Sequence, residues 1–377
     1  MTDPKMVTVM EGDMLQPDMG LKRQDLRILR AQINVVIHSA SSIALLKSLK
    51  RLFGPIIDST SRLARLALDF DQLECFVFIS SAYANAYIPS QTDGLSGIKI
   101  QETIYQLQSM EAGKNENEEL ERELQDVQKT GTSSSYDSHN FPWDYAYAKH
   151  LTERLLTHAF AASDKRLLIL RPSIIEPAQS FPYRQFCLPM STPHIIFTAG
   201  IALTPSRTAC FSSQFKDPYH QSTVDYVPVD VVVDRLLTHL AQGTTGPVHA
   251  VAGLARMSFE ATWTRTTIHR RIPWAIQPRW TRQSWHSKLI HPLGRLYCTI
   301  GASFEFSEEK TLAVWQQLSD SERQGLHLFT DMDTLYHDHE HMRSDHIWTC
   351  MEHLTKRQQW ARWMSKCLYR SLASFKS

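Results

Sequence analysis

Several marks of common protein classes are missing from this sequence of 377 residues. Its six cysteines form no Cys-x-x-Cys pair and lie far apart, which favours unpaired thiols in a reducing, intracellular setting. The N-terminal residues contain no apolar signal core, and no run approaches the ~20 apolar residues of a membrane span. The net charge is only +1, so the chain as a whole has no electrostatic preference for nucleic acid.

Glycine is sparse as well. The chain has 14 glycines, and none of them stand in the order Gly-x-Gly-x-x-Gly. A loop of that kind places backbone amides against the phosphates of a dinucleotide. This sequence therefore does not contain a glycine-rich phosphate-binding loop of that type.

What the sequence does contain is an alternation of apolar strands with helices. Continuous apolar runs predict strands at Val7–Met10, Ile33–His38, Cys75–Ile79 and Arg166–Leu170. Strands of this kind are typical of a parallel sheet that is covered on both faces. We therefore predict an α/β fold with a Rossmann-like parallel sheet.

The length of the chain allows about two domains. We predict a sheet domain at residues 1–260 and a small, mostly helical domain at residues 261–377. An acidic and serine-rich segment at about 90–140 predicts a solvated helix and a loop inserted into the first domain. Residues 177–222 are expected to be loop-rich. Ser319-Asp-Ser-Glu322 has the spacing of a capping box and predicts the start of a helix.

Tyr145 and Lys149 lie four residues apart at the start of a predicted helix, Tyr145–Phe160, so both side chains can face one cleft. A phenol has a pKa near ~10, and a neighbouring ammonium is expected to lower that pKa. The pair suits protonation of an oxyanion while hydride arrives from elsewhere. Because this spacing is common by chance, it carries little weight alone.

Two predicted strands end in residues that add to this pair. One is followed by Ser80-Ser81, and the strand after the Tyr145 helix ends at Arg171-Pro172-Ser173. In an open parallel sheet, ligands bind beyond the carboxyl ends of the strands. We therefore predict that Ser81, Tyr145 and Lys149 meet at this edge of the sheet.

The order of these motifs along the chain resembles one family. It is similar to the fatty acyl-CoA reductases, of the extended short-chain dehydrogenase/reductase superfamily, in four segments of this sequence: Val36–Ser41, Phe78–Asn85, Tyr145–Lys149 and Leu170–Ile175. Val224–Val233 looks like the family's segment before a late helix, and Phe304–Phe329 looks like part of its small C-terminal domain. The ordered set is specific, although no single motif is.

The resemblance implies an activity and a role for each matching residue. The reaction is the NADPH-dependent reduction of an acyl thioester such as a long-chain acyl-CoA, giving an aldehyde and coenzyme A and, after a second hydride, an alcohol. Tyr145 is implied as the general acid, Lys149 as its modulator and a ribose contact, and Ser81 as the donor to the carbonyl. The implied dinucleotide contacts are made by Asp13, His38, Ser39, Ala40, Lys149, Pro172 and Ile174.

The family's glycine-rich fingerprint is not found in this chain, and Met1 falls just before what matches the family's third strand. Two explanations stay open. The sequence is a truncated gene model or splice form of a working reductase, or it is a degenerate relative that acts as a remnant or interaction protein. In a third interpretation, the chain is another member of the superfamily that acts on a secondary alcohol or ketone. The resemblance of Phe304–Phe329 to the reductase family disfavours this interpretation.

Three other features are candidate sites. His337, His339 and His341 share a face only on a strand, and because a helix is expected there, a polar surface helix is favoured over a zinc site. Residues 356–376 are basic with apolar residues near helical spacing, so peripheral membrane contact is an open hypothesis beside ordinary packing. Ser80 or Ser81 could be a hydrolase nucleophile, but neither lies in the Gly-x-Ser-x-Gly motif typical of such enzymes, so this interpretation is disfavoured. The protein is expected to be cytoplasmic or peripherally membrane-associated.

Overall fold

The computed structural model describes residues 6–88, 99–107, 116–269, 275–331 and 340–355. The chain folds into two units. Unit 1 consists of Met1–Asn85, Thr103–Arg171 and Gly243–Val248; unit 2 consists of Ala86–Glu102, Pro172–Gln242 and His249–Ser377. The chain crosses between the units several times. The two-domain division near residue 260 stays a prediction.

The described strands are short. In chain order they are β1 (Val35–His38), β2 (Cys75–Ile79), β3 (Lys99–Ile100), β4 (Arg166–Pro172), β5 (Ile174–Glu176), β6 (Thr208–Ser212), β7 (Thr223–Val224), β8 (Tyr226–Pro228), β9 (Gly246–Ala250), β10 (Met257–Ser258), β11 (Gln277–Thr281) and β12 (Glu305–Phe306).

The described helices, in chain order, are α1 (Arg23–Gln32), α2 (Leu49–Leu52), α3 (Ser59–Leu68), α4 (Glu116–Thr130), α5 (Ser134–Asp137), α6 (Asp144–Phe160), α7 (Pro193–Leu203), α8 (Pro218–Gln221), α9 (Val229–Ala241), α10 (Phe259–Thr267), α11 (Pro292–Leu296), α12 (Glu309–Gln317), α13 (Asp320–Gly325) and α14 (Glu340–Thr355). A π-helical turn, Phe53–Asp58, joins α2 to α3. Short 3₁₀ turns lie at Pro17–Gly20, Ala82–Asn85, Gly253–Ala255 and Cys298–Gly301.

The sheet of unit 1 has the strand order β1-β2-β4-β9. β2 runs parallel to both β1 and β4, with Phe78 beside His38 on one side and Ile169 on the other. The side chains of β2 from Cys75 to Phe78 are almost fully buried, as expected of a strand covered on both faces. One face packs on a core that α3 and α6 share, with Ala67, Leu156 and Phe160 at its centre. The α/β prediction is thus confirmed.

Unit 2 is built from smaller pieces. Its described strands form four two-stranded pairs: β5–β8, β7–β10, β6–β11 and β3–β12. One core joins β6 to α7 and α10 through aromatic side chains such as Phe197, Phe211 and Phe259. A second core joins α7 to α14.

Several sequence predictions of elements are confirmed. Strands occur at β1, β2 and β4, and β4 ends at Pro172, where the missing amide hydrogen stops the ladder. Ser319 and Glu322 form the predicted capping box at α13. At Gly54-Pro55 the chain continues from α2 into α3 through the π-helical turn, a local distortion that accommodates the hydrogen bond Pro55 cannot donate.

Other predictions are wrong. Val7–Met10 forms no strand, and Val7 and Val9 are 60% and 90% exposed. The segment at 177–222 is loop-rich as predicted, but it also contains α7, β6 and α8, which the sequence did not predict. α7 is buried nearly all round, so its sequence shows little amphipathic periodicity. The inserted helix α4 is not fully solvated, because Leu120, Glu123 and Val127 are buried.

Candidate active site

Lys149 lies at the carboxyl edge of the sheet, on the second turn of α6. Its ammonium donates a hydrogen bond to the carbonyl of Ile79, the last residue of β2, at 2.9 Å. The side chain is 1% exposed and its Nζ lies 4.6 Å from the centre of the Phe78 ring. Burial lowers the pKa of Lys149 from 10.5 to about 7, although the Glu153 carboxylate opposes that shift. Near neutral pH, Lys149 can therefore gain or release a proton.

Tyr145 lies one helical turn before Lys149, with its ring centre 5.9 Å from Nζ. Burial raises the pKa of Tyr145 above its ordinary value, the opposite of the direction expected from the sequence. Desolvation penalises the phenolate, and the ammonium of Lys149 donates to the Ile79 carbonyl rather than to the phenol. Tyr145 therefore holds its proton at neutral pH.

Ser81 lies two residues after the end of β2 and directly before the 3₁₀ turn Ala82–Asn85. Its hydroxyl accepts a hydrogen bond from the Tyr83 amide at 3.2 Å, and its carbonyl accepts one from the Ala84 amide at 3.1 Å. α6 packs on this turn, and His150 of α6 contacts Asn85 at 2.9 Å. The structure thus brings Ser81, Tyr145 and Lys149 to the same edge of unit 1.

The start of α6 is held by its first residue. The Asp144 carboxylate accepts hydrogen bonds from the Leu49 amide at 2.6 Å and from the Tyr136 hydroxyl at 2.6 Å. Trp143, just before it, packs edge-on against Tyr83 at 6.1 Å. These contacts fix the turn that carries Tyr145 against α2 and against the turn after Ser81.

A buried ion pair completes the stripe of α6 that carries Tyr145 and Lys149. Glu153, one turn beyond Lys149, accepts hydrogen bonds from Arg171 at 3.0 and 2.6 Å and from the Ser80 hydroxyl at 2.5 Å. Arg171 also donates to the Thr103 carbonyl at 2.9 Å. Glu153 and Arg171 are 2% and 0% exposed. The network therefore ties α6 to the ends of both β2 and β4.

Glu153 lies in the predicted helix Tyr145–Phe160 and Arg171 in a predicted motif, but sequence alone assigned neither a role. The available signal was the repeated spacing of four residues from Tyr145 to Lys149 to Glu153, which places all three on one helix stripe. The partner of Glu153 comes from a different strand, so sequence spacing could not identify it.

His38 ends β1 and is 5% exposed. Its Nε2 lies 2.9 Å from the Thr60 hydroxyl, and its ring stacks on Phe78 at 5.9 Å. Burial, together with the positive charge of Lys149, lowers the pKa of His38 to about 4. His38 and Lys149 thus both contact the Phe78 ring, while Ser39 and Ala40 are exposed in the segment after β1.

Asp13 is not brought to this edge by any described contact. It is exposed in the segment before α1, and its carboxylate accepts a hydrogen bond from the Leu15 amide at 2.9 Å. The Arg62 side chain donates to the carbonyls of Met14 and Leu15, which ties this segment to α3.

Pro172 and Ile174 belong to unit 2. Pro172 is the last residue of β4, and Ile174 starts β5, which runs parallel to β8. The Ile174 amide donates to the Asp225 carbonyl at 3.2 Å. Between them, the Ser173 hydroxyl donates to the Asp225 carboxylate at 2.5 Å. The backbone amide of Ile174 is therefore already paired.

Two further hypotheses fall partly outside the described residues. His337 and His339 lie outside them, and among the residues that are described no group of three His, Cys, Asp or Glu side chains is placed to hold a metal ion. The basic segment 356–376 also lies outside. Over the described ranges, no helix combines the length and the apolar character needed to cross a bilayer.

Solved structures show the fold class. The terminal R domain from the myxalamid PKS-NRPS biosynthetic pathway matches with a TM-score of 0.54 and 14% identity, over 92% of this chain and 74% of that chain. UDP-glucose 4-epimerase from Brucella ovis matches with a TM-score of 0.50 and 16% identity, over 91% and 83%. At these identities the likeness concerns the fold alone, which is a Rossmann-like α/β fold.

The sequence narrows the class further. Residues 2–236 match the model of the male sterility protein family, a family of NAD-binding domains. The chain therefore belongs to the male sterility protein family.

Curated relatives agree with this assignment. "Putative fatty acyl-CoA reductase CG8306" of Drosophila melanogaster is 27% identical over 240 residues, which is 62% of this chain and 40% of the relative. Fatty acyl-CoA reductase 1 of Xenopus laevis is 25% identical over 232 residues, 61% of this chain and 40% of the relative. The matched region spans about 40% of the length of these relatives.

Proposed function

We propose that the chain acts as an oxidoreductase in the NADPH-dependent reduction of a fatty acyl-CoA to an aldehyde or a fatty alcohol. The observation that carries the proposal is the Tyr145–Lys149 pair at the carboxyl edge of a parallel sheet, with Lys149 bonded to the end of β2, two residues before Ser81. Family membership and the names of the relatives support the choice of an acyl thioester as the substrate class.

Because burial raises the pKa of Tyr145, the phenol is protonated at neutral pH but is a weak acid, so its proposed role as the proton donor depends on the positive charge of Lys149. The Ser81 hydroxyl hydrogen-bonds the substrate carbonyl and orients it. Lys149 supplies a positive charge beside Tyr145, which favours the phenolate that remains after the proton has left. Glu153 holds α6 against Ser80 and Arg171 and so positions the other three side chains.

The donor chemistry of this edge fits the nicotinamide end of a dinucleotide. A buried ammonium suits a ribose hydroxyl, so we assign the ribose contact to Lys149. His38, which is neutral at pH 7, ends the neighbouring strand β1 and is followed by Ser39 and Ala40. We propose that these three residues lie along the dinucleotide. Pro172 and Ile174 are proposed beside the nicotinamide and Asp13 beside the adenine. When bound, NADPH supplies the hydride that reaches the acyl carbon.

The experiment compares initial rates of NADPH consumption with a long-chain acyl-CoA for the wild type and Tyr145→Phe. Loss of a general acid predicts a fall in kcat of ~10²-fold or more. Tyr219→Phe, in α8 of unit 2, is the matched control and is expected to keep the wild-type rate. Full turnover in Tyr145→Phe would remove Tyr145 from its assigned role.

NADPH binding, measured by cofactor fluorescence without substrate, separates the remaining cases. Binding with no turnover of acyl-CoA by the wild type would favour a catalytically impaired relative. Oxidation of secondary alcohols in place of thioester reduction would favour another activity of the same superfamily.

A further inference from the structure

Two segments of unit 2 contain no acidic residue. Residues 177–216 have three Lys or Arg and no Asp or Glu, and residues 261–304 have seven Lys or Arg and no Asp or Glu. The whole chain is nearly neutral, with a net charge of +1. Positive charge is therefore concentrated in these two stretches and offset elsewhere in the chain.

The fold joins the two stretches in one ribbon. β6 and β11 pair in parallel, with Ser212 opposite Thr281. Beyond that point the Ser213 amide donates to the Thr281 carbonyl at 2.9 Å. The Gln214 side chain donates to the Arg282 carbonyl at 3.2 Å. The segment that ends in Lys216 is thereby held beside Arg282.

Four exposed cations lie on this ribbon or follow its strands in the chain: Arg279 within β11, Lys216 after β6, and Arg282 and Lys288 after β11. We call them the cationic edge. Arg279 alternates with Trp280, whose ring packs inward on Phe259 at 4.8 Å, so Arg279 stands on the outer face. The nearest acid in sequence, Asp217, pairs with His220 at 2.7 Å.

An ordered turn presents an apolar side chain among these cations. The Ser287 hydroxyl donates to the Gln283 side chain at 2.5 Å, and the Ser287 amide donates to the Ser284 carbonyl at 2.9 Å. Ile290 is buried at 2%, whereas Leu289, directly before it, is 69% exposed beside Lys288. The turn therefore holds Leu289 out into solvent while Ile290 anchors it to unit 2.

We propose that the cationic edge, with Leu289, is a docking surface for an anionic lipid bilayer. Each Lys or Arg near such a surface strengthens binding, and an apolar side chain among them can enter the boundary between headgroups and acyl chains. Half-buried Trp285, between Arg282 and Lys288 in the same turn, is a residue type enriched at that boundary. Phosphate recognition would use the cations alone, so Leu289 is the residue that distinguishes a bilayer from other anions in the experiment.

The test is flotation of the full chain with vesicles of phosphatidylcholine, with and without phosphatidylserine. Binding is expected only with the anionic lipid, and it is expected to weaken in high salt. A triple variant is expected to lower the partition coefficient of the protein onto anionic vesicles ~tenfold or more. It combines Arg279→Gln, Arg282→Gln and Lys288→Gln. The matched control removes three exposed cations of unit 1, Lys22→Gln with Arg23→Gln and Arg27→Gln, and should bind as the wild type does.

Leu289→Ser, a single exposed change that leaves every charge in place, separates lipid from other anions. It is expected to lower vesicle binding several-fold while the salt dependence stays the same. Equal binding to neutral vesicles, equal loss in the two triple variants, or tighter binding to a short DNA duplex than to anionic vesicles would each overturn the proposal. Unchanged binding of Leu289→Ser would overturn the role of the leucine in a bilayer.

Discussion

At the scale of single residues, the candidate site is defined by charged side chains that are buried and desolvated. Lys149 and Glu153 lie one turn apart on α6, and each is at most 2% exposed. Each is matched by an oxygen or a guanidinium from a strand end: the Ile79 carbonyl for Lys149 and Arg171 for Glu153. Burying such groups is tolerated only when these partners are in place.

Glu153→Gln tests this matching. The substitution leaves the Arg171 guanidinium buried without its counter-charge, so we expect a loss of ~3–5 kcal/mol in the free energy of unfolding. Chemical denaturation provides the measurement. Glu309→Gln is the control, because Glu309 pairs with Lys99 at 3.1 Å while 68% exposed, and such surface pairs contribute ~0–1 kcal/mol. A Glu153 variant as stable as the control would refute a structural role for the pair.

His38 makes the stability of unit 1 dependent on pH. Its pKa is about 4 in the folded chain and 6.5 ordinarily, so between these values the unfolded chain binds more protons. The stability that His38 contributes is therefore complete above pH 6.5 and is lost as the pH falls towards 4. At ~1.4 kcal/mol per pKa unit, the loss is ~3 kcal/mol.

The measurement is the melting temperature at a series of pH values for the wild type and His38→Gln. Glutamine can keep a bond to the Thr60 hydroxyl but does not titrate, so the fall in Tm between pH 6.5 and 4 is expected to be smaller in the variant. Parallel curves for the two proteins would contradict this account.

Residue identities also mark the limit of inference from sequence. Tyr145, Lys149 and Ser81 could be selected because helix spacing and strand ends are local patterns, and the structure brings them to one edge. The Glu153–Arg171 pair and the raised pKa of Tyr145 could not, because both depend on burial by segments that are distant in the chain.

At the scale of elements, α6 is the helix on which the site is built. Its first turn is bonded to Leu49 and Tyr136 through Asp144, and its third turn is bonded to β2 and β4 through Glu153. Tyr145 and Lys149 lie between these two attachments. The helix is thus fixed on both sides of the candidate catalytic pair.

Asp144→Ala is expected to loosen the start of α6. It leaves the Leu49 amide and the Tyr136 hydroxyl without their carboxylate partner, at a cost of ~1–3 kcal/mol. The matched control is Asp137→Ala, an exposed aspartate bonded to the Thr132 hydroxyl at 2.7 Å, which should cost less. Thermal melts give stability, and hydrogen exchange at residues 144–148 reports the local effect. Unchanged exchange there would argue against the attachment.

Strands could be predicted best where both of their faces are covered. β2 and β4 are continuous apolar runs for this reason, whereas β1, at the end of the described strand order, leaves Ile37 44% exposed. α7 was missed because a helix that is buried all round has no polar face to reveal its period. The buried side of α4 was missed because its acidic composition suggested a solvated helix, whereas Glu123 pairs with Arg154 at 2.7 Å inside unit 1.

At the scale of the whole molecule, each unit is assembled from segments that are distant in the sequence. In unit 2, fully buried Arg235 of α9 joins three of them. It donates to the carbonyls of Leu328 at 2.7 Å and His249 at 3.0 Å, and to the Glu308 carboxylate at 2.6 Å.

Arg235→Met is expected to release these segments. The substitution leaves the Glu308 carboxylate without its counter-charge and two backbone carbonyls without a hydrogen-bond donor. We therefore expect the free energy of unfolding to fall by ~3 kcal/mol or more. Limited proteolysis followed by mass spectrometry should show new cleavage within residues 305–331. Arg51→Met, an exposed arginine of α2 in unit 1, is the control and should retain the wild-type pattern. Equal resistance of both variants would contradict the role given to Arg235.

The central claim is that Tyr145, Lys149 and Ser81 carry a hydride-dependent reduction. NADPH deuterated at the transferring position, incubated with a long-chain acyl-CoA, provides the most direct measurement. The wild type is predicted to yield aldehyde or alcohol that carries deuterium at the former acyl carbon, and Tyr145→Phe is predicted to yield ~10²-fold less. Product without deuterium from the wild type, or equal labelled product from the variant, would contradict the claim.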